Sequence, residues 1–498
     1  RGQNSGNSLT LTTGASSIIF KEPEEEDEQA LGIDNFSFDA AMRGDSITYN
    51  FKWGNPAELM HNSGDIGGFF TFHDQPRIRS GLTKARFTVN DSTFIARQNG
   101  DLIIDSTSVY INNLIIKGLN QELTISGKIS ENISDSLFLE FKKFDISSAD
   151  LLLNQDNIDF DGILSGTIMV NDLYASRKLK ANMLVKDFSF NREKLGDAKI
   201  ITRWDSDRSG LDIDAGIIYR GNIGTHTPVT VKGFIYPDPD ISQNFDLDIT
   251  TLNYNLATLN PFLKGFASNL RGYASGDLQM TGTFNKPAFT GSLQLMRTQM
   301  KIDYLNVTYS LADKVSVTPS QISASNVMIY DSLGNTGLMN FNLNHNYFRD
   351  MVMDMTVNAS NLAALNTTMK DNELFYGSAF ASGAVSIKGP FDDLRMNIRV
   401  KSDKETNIFI PINLNEDATE NAYIRFVNNT DQNLKPDIFE PVTSGVNLDM
   451  LLNVTRDASI QLFLPENIGN IKANGNGQLQ MGIDTRGDIT MFGDYVIE

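Results

Sequence analysis

The sequence predicts an all-β protein built on a repeated antiparallel sheet. Apolar and polar residues alternate along most of the chain, helical periodicity is scarce, and one glycine-led phrase returns about every hundred residues. The chain has 498 residues, which is more than one compact core usually holds. A sheet that continues through related repeats therefore fits the length better than a single globule.

Alternation is the main sign of strands. The phrase NFNLN at 340–344 and the phrase DLQMT at 277–281 each place every second residue on an apolar face. Tyr49, Phe51 and Trp53 follow the same rule. Turn pairs such as Gly334-Asn335 and Asn474-Gly475 punctuate these runs. One-sided alternation with short turns indicates an antiparallel sheet with one apolar and one solvated face.

A repeated phrase of the form Gly-x-apolar-x-apolar supports an array. It starts at intervals of 110, 107 and 94 residues, at Gly166, Gly276, Gly383 and Gly477. Before the first three copies, a strand leads into a stretch that we predict to be a short helix, at 147–153, 255–263 and 360–369. The predicted unit is a strand, a short helix, a glycine turn and further strands, as in extended repeat proteins.

These repeats divide the chain into five predicted segments. Two polar stretches interrupt the alternation, an acidic run from Glu22 and an Asn- and Asp-rich insertion at 402–444. The segments are an N-terminal β segment with the acidic loop near 21–30 (1–100), three β repeats of which the third carries the insertion (101–250, 251–360 and 361–445), and the start of a C-terminal β segment (446–498).

Composition excludes several classes of function. Sixty-one acidic and 42 basic residues give a formal net charge of -19, which disfavours binding to nucleic acid and non-specific binding to anionic lipid. No cysteine is present, so disulfides and thiolate metal sites do not occur in this chain. No apolar run approaches the length of a membrane-spanning helix, and no signal peptide is visible.

No arrangement of reactive residues predicts an enzyme, a metal site or a cofactor. The four histidines lack ligand spacing; they are His61, His73, His226 and His345. Aspartates separated by one residue could form a dyad or a calcium site on one strand face, but we expect solvated outer-face carboxylates. These pairs are Asp205 with Asp207, Asp212 with Asp214, and Asp238 with Asp240. No GxSxG, Walker or GxGxxG pattern occurs.

The repeated strand after a strand-helix lead-in resembles the TamB family of the translocation and assembly module, within the AsmA-like group. The closing string NGNGQLQMGIDTRGDITMFGDYVIE is similar to the family's C-terminal conserved domain in the form found in Bacteroidota, as are IFIPINL near Ile408 and AYIRFV near Ala422. The resemblance covers most of 102–498. It implies a long sheet curled into an open trough (a β-taco), with a few short helices, that crosses the periplasm.

The resemblance also implies partners and a location. Family members connect an inner-membrane anchor helix with an outer-membrane barrel protein of the TamA or Omp85 type, and they are linked to phospholipid transport and outer-membrane protein assembly. We expect the inner-membrane anchor and the contact with the barrel protein to lie outside the 498 residues. The Asp-Ser phrases resemble O-glycosylation acceptors of Bacteroidota envelope proteins; they begin at Asp45, Asp91, Asp105, Asp135 and Asp331.

An apolar groove on such a sheet would shield lipid acyl chains from water. Exposing an acyl chain of ~15 carbons to water costs on the order of 12 kcal/mol, and a continuous apolar trough would keep the chain covered. The inward candidates are Ile168, Val170, Leu278, Met280, Phe341, Leu343, Met353, Met355, Val385, Ile387, Leu479 and Met481. The predicted function is a non-catalytic periplasmic bridge with a hydrophobic groove for phospholipid acyl chains, supporting outer-membrane biogenesis.

Alternative functions remain open at this point. Alternating strands usually pack a closed sandwich or barrel core. A scaffold or strand chaperone for outer-membrane barrel proteins would use an open sheet edge. A β-solenoid surface protein would show uniform repeats of about twenty residues, and a polysaccharide-active enzyme on a solenoid would need clustered carboxylates.

Overall fold

The computed structural model confirms the all-β fold class. Its described residues form 30 β-strands and two short 3-10 helices, η1 and η2. The structure describes residues 8–21, 31–54, 62–73, 77–89, 92–98, 100, 102–149, 159–172, 178–221, 224–238, 241–371, 375–390, 393–411, 446–464, 469–484 and 489–497. The acidic run at 22–30 and most of the predicted polar insertion, including the phrase near Ala422, lie outside these residues.

The chain separates into two compact units. The N-terminal unit comprises Arg1–Leu252 with Thr281–Phe284, and the C-terminal unit comprises Asn253–Met280 with Asn285–Glu498. The five predicted segments are a finer division and stay a prediction. Within the described residues, no helix is long and apolar enough to cross a lipid bilayer.

Strands β1 to β16 follow one another along the chain. Their bounds are β1 Ser8–Lys21, β2 Leu31–Arg43, β3 Ser46–Trp53, β4 Asn62–His73, β5 Arg77–Val89, β6 Ser92–Gln98, β7 Leu102–Asp105, β8 Ser108–Lys117, β9 Glu122–Ser130, β10 Ser136–Asp145, β11 Phe160–Asn171, β12 Lys178–Phe190, β13 Glu193–Asp205, β14 Gly210–Gly221, β15 Gly224–Ile235 and β16 Phe245–Asn255, with η1 Ile146–Ala149 after β10. They form an antiparallel meander, in which β6 and β7 together lie between β5 and β8.

The remaining strands belong mainly to the C-terminal unit. Their bounds are β17 Ala267–Thr283, β18 Lys286–Ile302, β19 Val307–Leu311, β20 Lys314–Thr318, β21 Gln321–Tyr330, β22 Thr336–Asn346, β23 Arg349–Thr367, β24 Tyr376–Pro390, β25 Leu394–Ser402, β26 Asn407–Pro411, β27 Val446–Val454, β28 Ser459–Leu464, β29 Gly469–Asp484 and β30 Ile489–Ile497, with η2 Leu256–Leu263 before β17.

The C-terminal unit contains a parallel seam that the sequence did not predict. Strand β25 pairs in parallel with β27, and β26 pairs in parallel with β28, whereas β24 and β29 on either side pair antiparallel with them. At the seam, the Thr455 amide donates to the Ser402 hydroxyl oxygen over 2.9 Å, and the Ser459 amide donates to the Thr406 carbonyl over 2.9 Å. These bonds satisfy polar groups where both strand pairs are interrupted.

Two of the three predicted short helices are present, and the third prediction is wrong. Helix η1 overlaps the first three residues of the first predicted stretch, whose residues 150–153 lie outside the described residues. Asn255 caps η2 by accepting a hydrogen bond from the Ala257 amide. The stretch 360–369 instead continues β23 to Thr367. The pairing shifts between Ala359 and Leu362 and again between Ala363 and Leu365. These bulges bury apolar residues at a spacing that resembles a helical face.

The repeated glycines are not turns, contrary to the prediction, and Asn474-Gly475 also lies within a strand, β29. Gly276 and Gly383 lie inside β17 and β24 with φ of 157° and 145°. A Cβ atom at Gly383 would lie 2.3 Å from the Arg399 carbonyl oxygen of the paired strand. The phrase therefore marks positions where a strand interior needs glycine for close backbone approach.

Candidate functional site

One face of the C-terminal unit carries an unbroken apolar ladder. Each member lies directly opposite the next on the adjacent strand, from β21 to β29. The members are Val327, Met339, Val357, Val385, Ile398, Met450 and Met481. Opposed side chains at strand spacing of ~4.8 Å stay in contact from strand to strand. The row continues across the parallel seam because Ile398 pairs with Met450 in register.

A second row runs beside the first and contains the best-packed part of this face. Its opposed members are Ala324, Phe341, Met355, Ile387, Met396 and Leu448. Met353, Ile387 and Leu394 form a buried cluster against which Phe266, Phe341, Leu343, Met355, Val385 and Met396 pack. Six of the twelve predicted groove residues therefore come together in one cluster.

The other predicted residues lie at separate places on apolar faces. Leu479 pairs with Leu452, and Met481 with Met450. Leu278 and Met280 are half-buried on β17, where the Leu278 Cα lies 2.9 Å from a Cβ built on Gly291. In the N-terminal unit, Ile168 lies between Leu139 and Ala181, and Val170 lies between Leu137 and Leu179.

The N-terminal unit has its own ladder on the face that contains Ile168. It runs from Ile168 on β11 to Leu247 on β16, through Ala181, Thr202, Ile213 and Gly233. Thr202 is the polar member, and its buried hydroxyl accepts a hydrogen bond from the Ala181 amide over 3.1 Å. The hydroxyl is thus satisfied and does not interrupt the apolar character of the face.

Most of the predicted groove residues remain partly accessible. Only Met353, Ile387 and Met481 are buried, and the other nine are half-buried. A closed core would bury the majority of its large apolar side chains. Half-burial instead suits one sheet face whose side chains cover each other laterally. How far these twelve residues line a groove remains a prediction.

An aromatic surface on β2 to β4 was not singled out from the sequence. The ring centroids of Phe38 and Phe51 lie 4.6 Å apart, and those of Tyr49 and Phe70 lie 4.9 Å apart. Trp53 lies opposite Gly64, where a Cβ atom would approach the indole ring to 2.2 Å. The alternation of Tyr49, Phe51 and Trp53 was the available signal, but the sequence did not indicate that neighbouring strands would add rings beside them.

Several of the histidines and aspartates considered in the sequence make local contacts in the described residues. His345 is buried, its Nδ1 accepts a hydrogen bond from the Phe348 amide, and burial lowers its pKa. His226 lies 5.2 Å from Tyr219, ring centroid to centroid. Asp205 accepts hydrogen bonds from the amides of its own turn. His61 and Asp240 lie outside the described residues. Where residues are described, no group of three acidic or histidine side chains could hold a metal ion.

Two of the Asp-Ser phrases, at Asp105 and Asp331, have a structural role where the chain reverses, whereas Asp91 lies outside the described residues. The Thr107 amide and the Ser108 hydroxyl donate to the Asp105 carboxylate and lower its pKa to about 2. The Asp331 carboxylate accepts from the amides of Leu333, Asn335 and Ala363. Aspartate satisfies backbone donors where the chain reverses. Hydrogen bonding therefore explains the aspartate at these two positions, and no covalent modification is needed to explain it.

An all-β chain with long, half-buried apolar ladders and no assembled reactive centre in its described residues belongs to the class of sheet proteins that present an apolar surface. Residues 325–498 match the family described as the TamB C-terminal domain. This part of the chain is similar to the TamB family, as the sequence predicted. No curated protein and no solved structure matches it significantly. The family acts in the cell envelope, in outer-membrane protein assembly or lipid transport.

Proposed function

We propose that the chain conducts phospholipids across the periplasm along the apolar faces of its two units, as a bridge between the inner and outer membranes. The observation that carries this proposal is the ladder of opposed, mostly half-buried apolar residues that continues across β21 to β29. Acyl chains would lie on this face, and head groups would remain in water. The chain would act without catalysis.

The chemistry of the ladder suits many lipid shapes. Met339, Met450 and Met481 contribute flexible thioether side chains to one row, and methionine adapts to varied apolar partners. Each methylene removed from water stabilises the bound state by ~0.8 kcal/mol. A lipid that moves from one strand to the next would exchange similar contacts, so no single position would trap it.

Tryptophan fluorescence tests acyl-chain contact directly. The chain has two tryptophans, and Trp53 and Trp204 are both half-buried, opposite Gly64 and Leu211 in the N-terminal unit. Phospholipids brominated on their acyl chains should quench both, with Trp53→Phe and Trp204→Phe separating the two signals. Unbrominated lipid is the control. If brominated lipid binds but quenches neither tryptophan, acyl chains do not contact the faces of the N-terminal unit that carry Trp53 and Trp204.

A paired substitution on β17 tests the C-terminal unit. Leu278→Asp combined with Met280→Asp should reduce co-purifying phospholipid several-fold while melting stays within a few degrees, because both side chains are half-buried. Gln279→Asp on the exposed side of the same strand is the matched control. Native mass spectrometry counts the lipids, and circular dichroism follows melting. Unfolding of the double variant would indicate a closed core instead.

Contact with an outer-membrane barrel protein of the TamA or Omp85 type is part of the proposal. It draws support from the match to the TamB C-terminal domain at 325–498. The family-level role in outer-membrane protein assembly is compatible with the same face, since an apolar surface could also shelter an unfolded strand. The contact itself is expected outside the 498 residues, so crosslinking in cells from the whole protein would identify the partner.

A further inference from the structure

Three connections of the C-terminal unit meet at one edge of its sheet. The Asp303 amide donates to the Phe266 carbonyl over 3.3 Å, and the Asn306 side-chain amide donates to the Asn366 carbonyl over 2.6 Å. The Ser268 hydroxyl also donates to the Asp303 carboxylate. These bonds join the segment after η2, the turn between β18 and β19, and the end of β23 into one surface.

That surface exposes four large apolar side chains, which we call the loop patch. Phe262 is 50% exposed and Met369 is 56% exposed, while Leu259 and Tyr304 are 37% and 41% exposed. Connections between strands usually carry polar residues and glycine. Adjacent connections that each present a large apolar residue indicate an interaction surface.

The loop patch rests on rigid supports. Thr258 is fully buried and donates a hydrogen bond to the Tyr254 hydroxyl over 2.9 Å. The Asn260 side chain accepts from the Leu270 amide over 2.7 Å and donates to the Leu270 carbonyl over 3.1 Å. Leu256 on η2 is buried against Leu270 and Ala274. Phe262 and Leu259 are therefore held outward rather than left free to collapse.

Positive charge flanks the loop patch in an otherwise acidic chain. Lys264 and Lys370 are exposed, and neither forms an ion pair with a described residue. Asp303 and Asp371 add negative charge at the same surface. The Thr368 hydroxyl and amide, with the Lys301 ammonium, lower the pKa of Asp371, so its carboxylate stays ionised. The three lysines, Lys264, Lys301 and Lys370, exceed these two carboxylates by one charge.

We propose that the loop patch docks on the interface of a phospholipid bilayer. Phe262, Leu259, Tyr304 and Met369 would enter the boundary between head groups and acyl chains, where aromatic and aliphatic side chains are stable. Lys264 and Lys370 would lie among the phosphates. The net charge of -19 opposes broad adsorption to anionic lipid, so contact would be confined to this edge. Docking does not require the groove and goes beyond the proposed function.

Vesicle flotation tests the docking. The whole chain is mixed at low salt with vesicles of phosphatidylethanolamine and phosphatidylglycerol at three to one. We expect the protein to float with the vesicles, and the triple variant Phe262→Ser, Tyr304→Ser, Met369→Ser to bind at least tenfold more weakly. Lys264→Gln with Lys370→Gln should weaken binding about fivefold per lysine, and added salt should remove that difference.

The control changes apolar residues that are equally exposed elsewhere. Leu119 and Ile133 are 93% and 67% exposed in the N-terminal unit, and Leu119→Ser with Ile133→Ser should float like the parent. Circular dichroism confirms that each variant folds. The proposal is overturned if the parent stays in solution, if the triple variant floats as well as the parent, or if the control loses as much as the triple variant. Quenching of Trp53 and Trp204 reports separately on the groove.

Discussion

Replacement of Gly383 by alanine should destabilise the chain far more than a Gly-to-Ala change normally does. Gly383 has φ of 145°, a conformation that alanine rarely adopts. Its new Cβ would meet the Arg399 carbonyl oxygen at 2.3 Å and the Val400 Cα at 2.8 Å. Both contacts are backbone atoms of β25, so the clash cannot be relieved by rotating a side chain.

The magnitude follows from two costs. Holding a non-glycine residue in this region costs about 1–3 kcal/mol, and forcing a methyl group into a filled space costs about 1–3 kcal/mol. Their sum is roughly 2–6 kcal/mol. For a unit of about 240 residues, each kcal/mol lowers the melting temperature by about 2–4 °C. We therefore expect Gly383→Ala to lower it by about 4–24 °C.

The measurement is thermal and urea unfolding followed by circular dichroism, with Gly216→Ala as the control. Gly216 also lies inside a strand, but its new Cβ would be 3.5 Å from the Val229 carbonyl oxygen, an ordinary contact. Alanine there should change stability by no more than about 1 kcal/mol. If Gly383→Ala melts within one degree of the parent, the close approach of β24 to β25 is not what fixes glycine in the repeated phrase.

Three further predictions concern packing, protons and modification. Met353→Ala should lower the free energy of unfolding by about 2–5 kcal/mol, because Met353 is 2% exposed. Val352→Ala, at the 41% exposed neighbouring position, should lower it by under about 0.5 kcal/mol. Equal urea midpoints for the two variants would contradict this. The folded-state pKa of Asp105 is lowered to about 2 from 3.8. The stability that the Asp105 carboxylate contributes should therefore be present above pH 3.8 and lost as pH falls toward 2. Asp105→Asn should remove this pH dependence, and an acid unfolding curve that is the same as the parent's would refute the prediction. Ser106 and Ser332 are exposed, so both are accessible to the predicted O-glycosylation. Intact-mass spectrometry of the native protein tests this, and a mass equal to that of the bare sequence would refute the modification.

The strands were predictable because alternation is a local property. The phrase at 340–344 lies in β22, and the phrase at 277–281 lies in β17. The sheet face that each apolar residue occupies there depends only on its position within its own strand. The similarity of residues 325–498 to the TamB C-terminal domain could also be predicted, because the closing string carries it.

Features set by distant partners were beyond the sequence pattern. The Ala363 amide in β23 donates to the Asp331 carboxylate, which is 32 residues earlier in the chain, and that contact fixes an extended bulge where local spacing indicated a helix. The parallel seam depends on how β27 returns beside β25. The loop patch requires that η2, the turn at Tyr304 and the end of β23 meet, which no single segment encodes.

The ladder suggests why an apolar face of this kind can remain partly open. In each unit, backbone hydrogen bonds between neighbouring strands hold the sheet, and opposed side chains contribute about 0.2–1 kcal/mol per pair. Stability is then spread over many pairings rather than concentrated in one closed core. Met355, for example, is half-buried although Phe341 and Ile387 lie directly opposite it on either side. A sheet stabilised laterally in this way can leave the surface above its apolar side chains free for a lipid, which a closed sandwich cannot do.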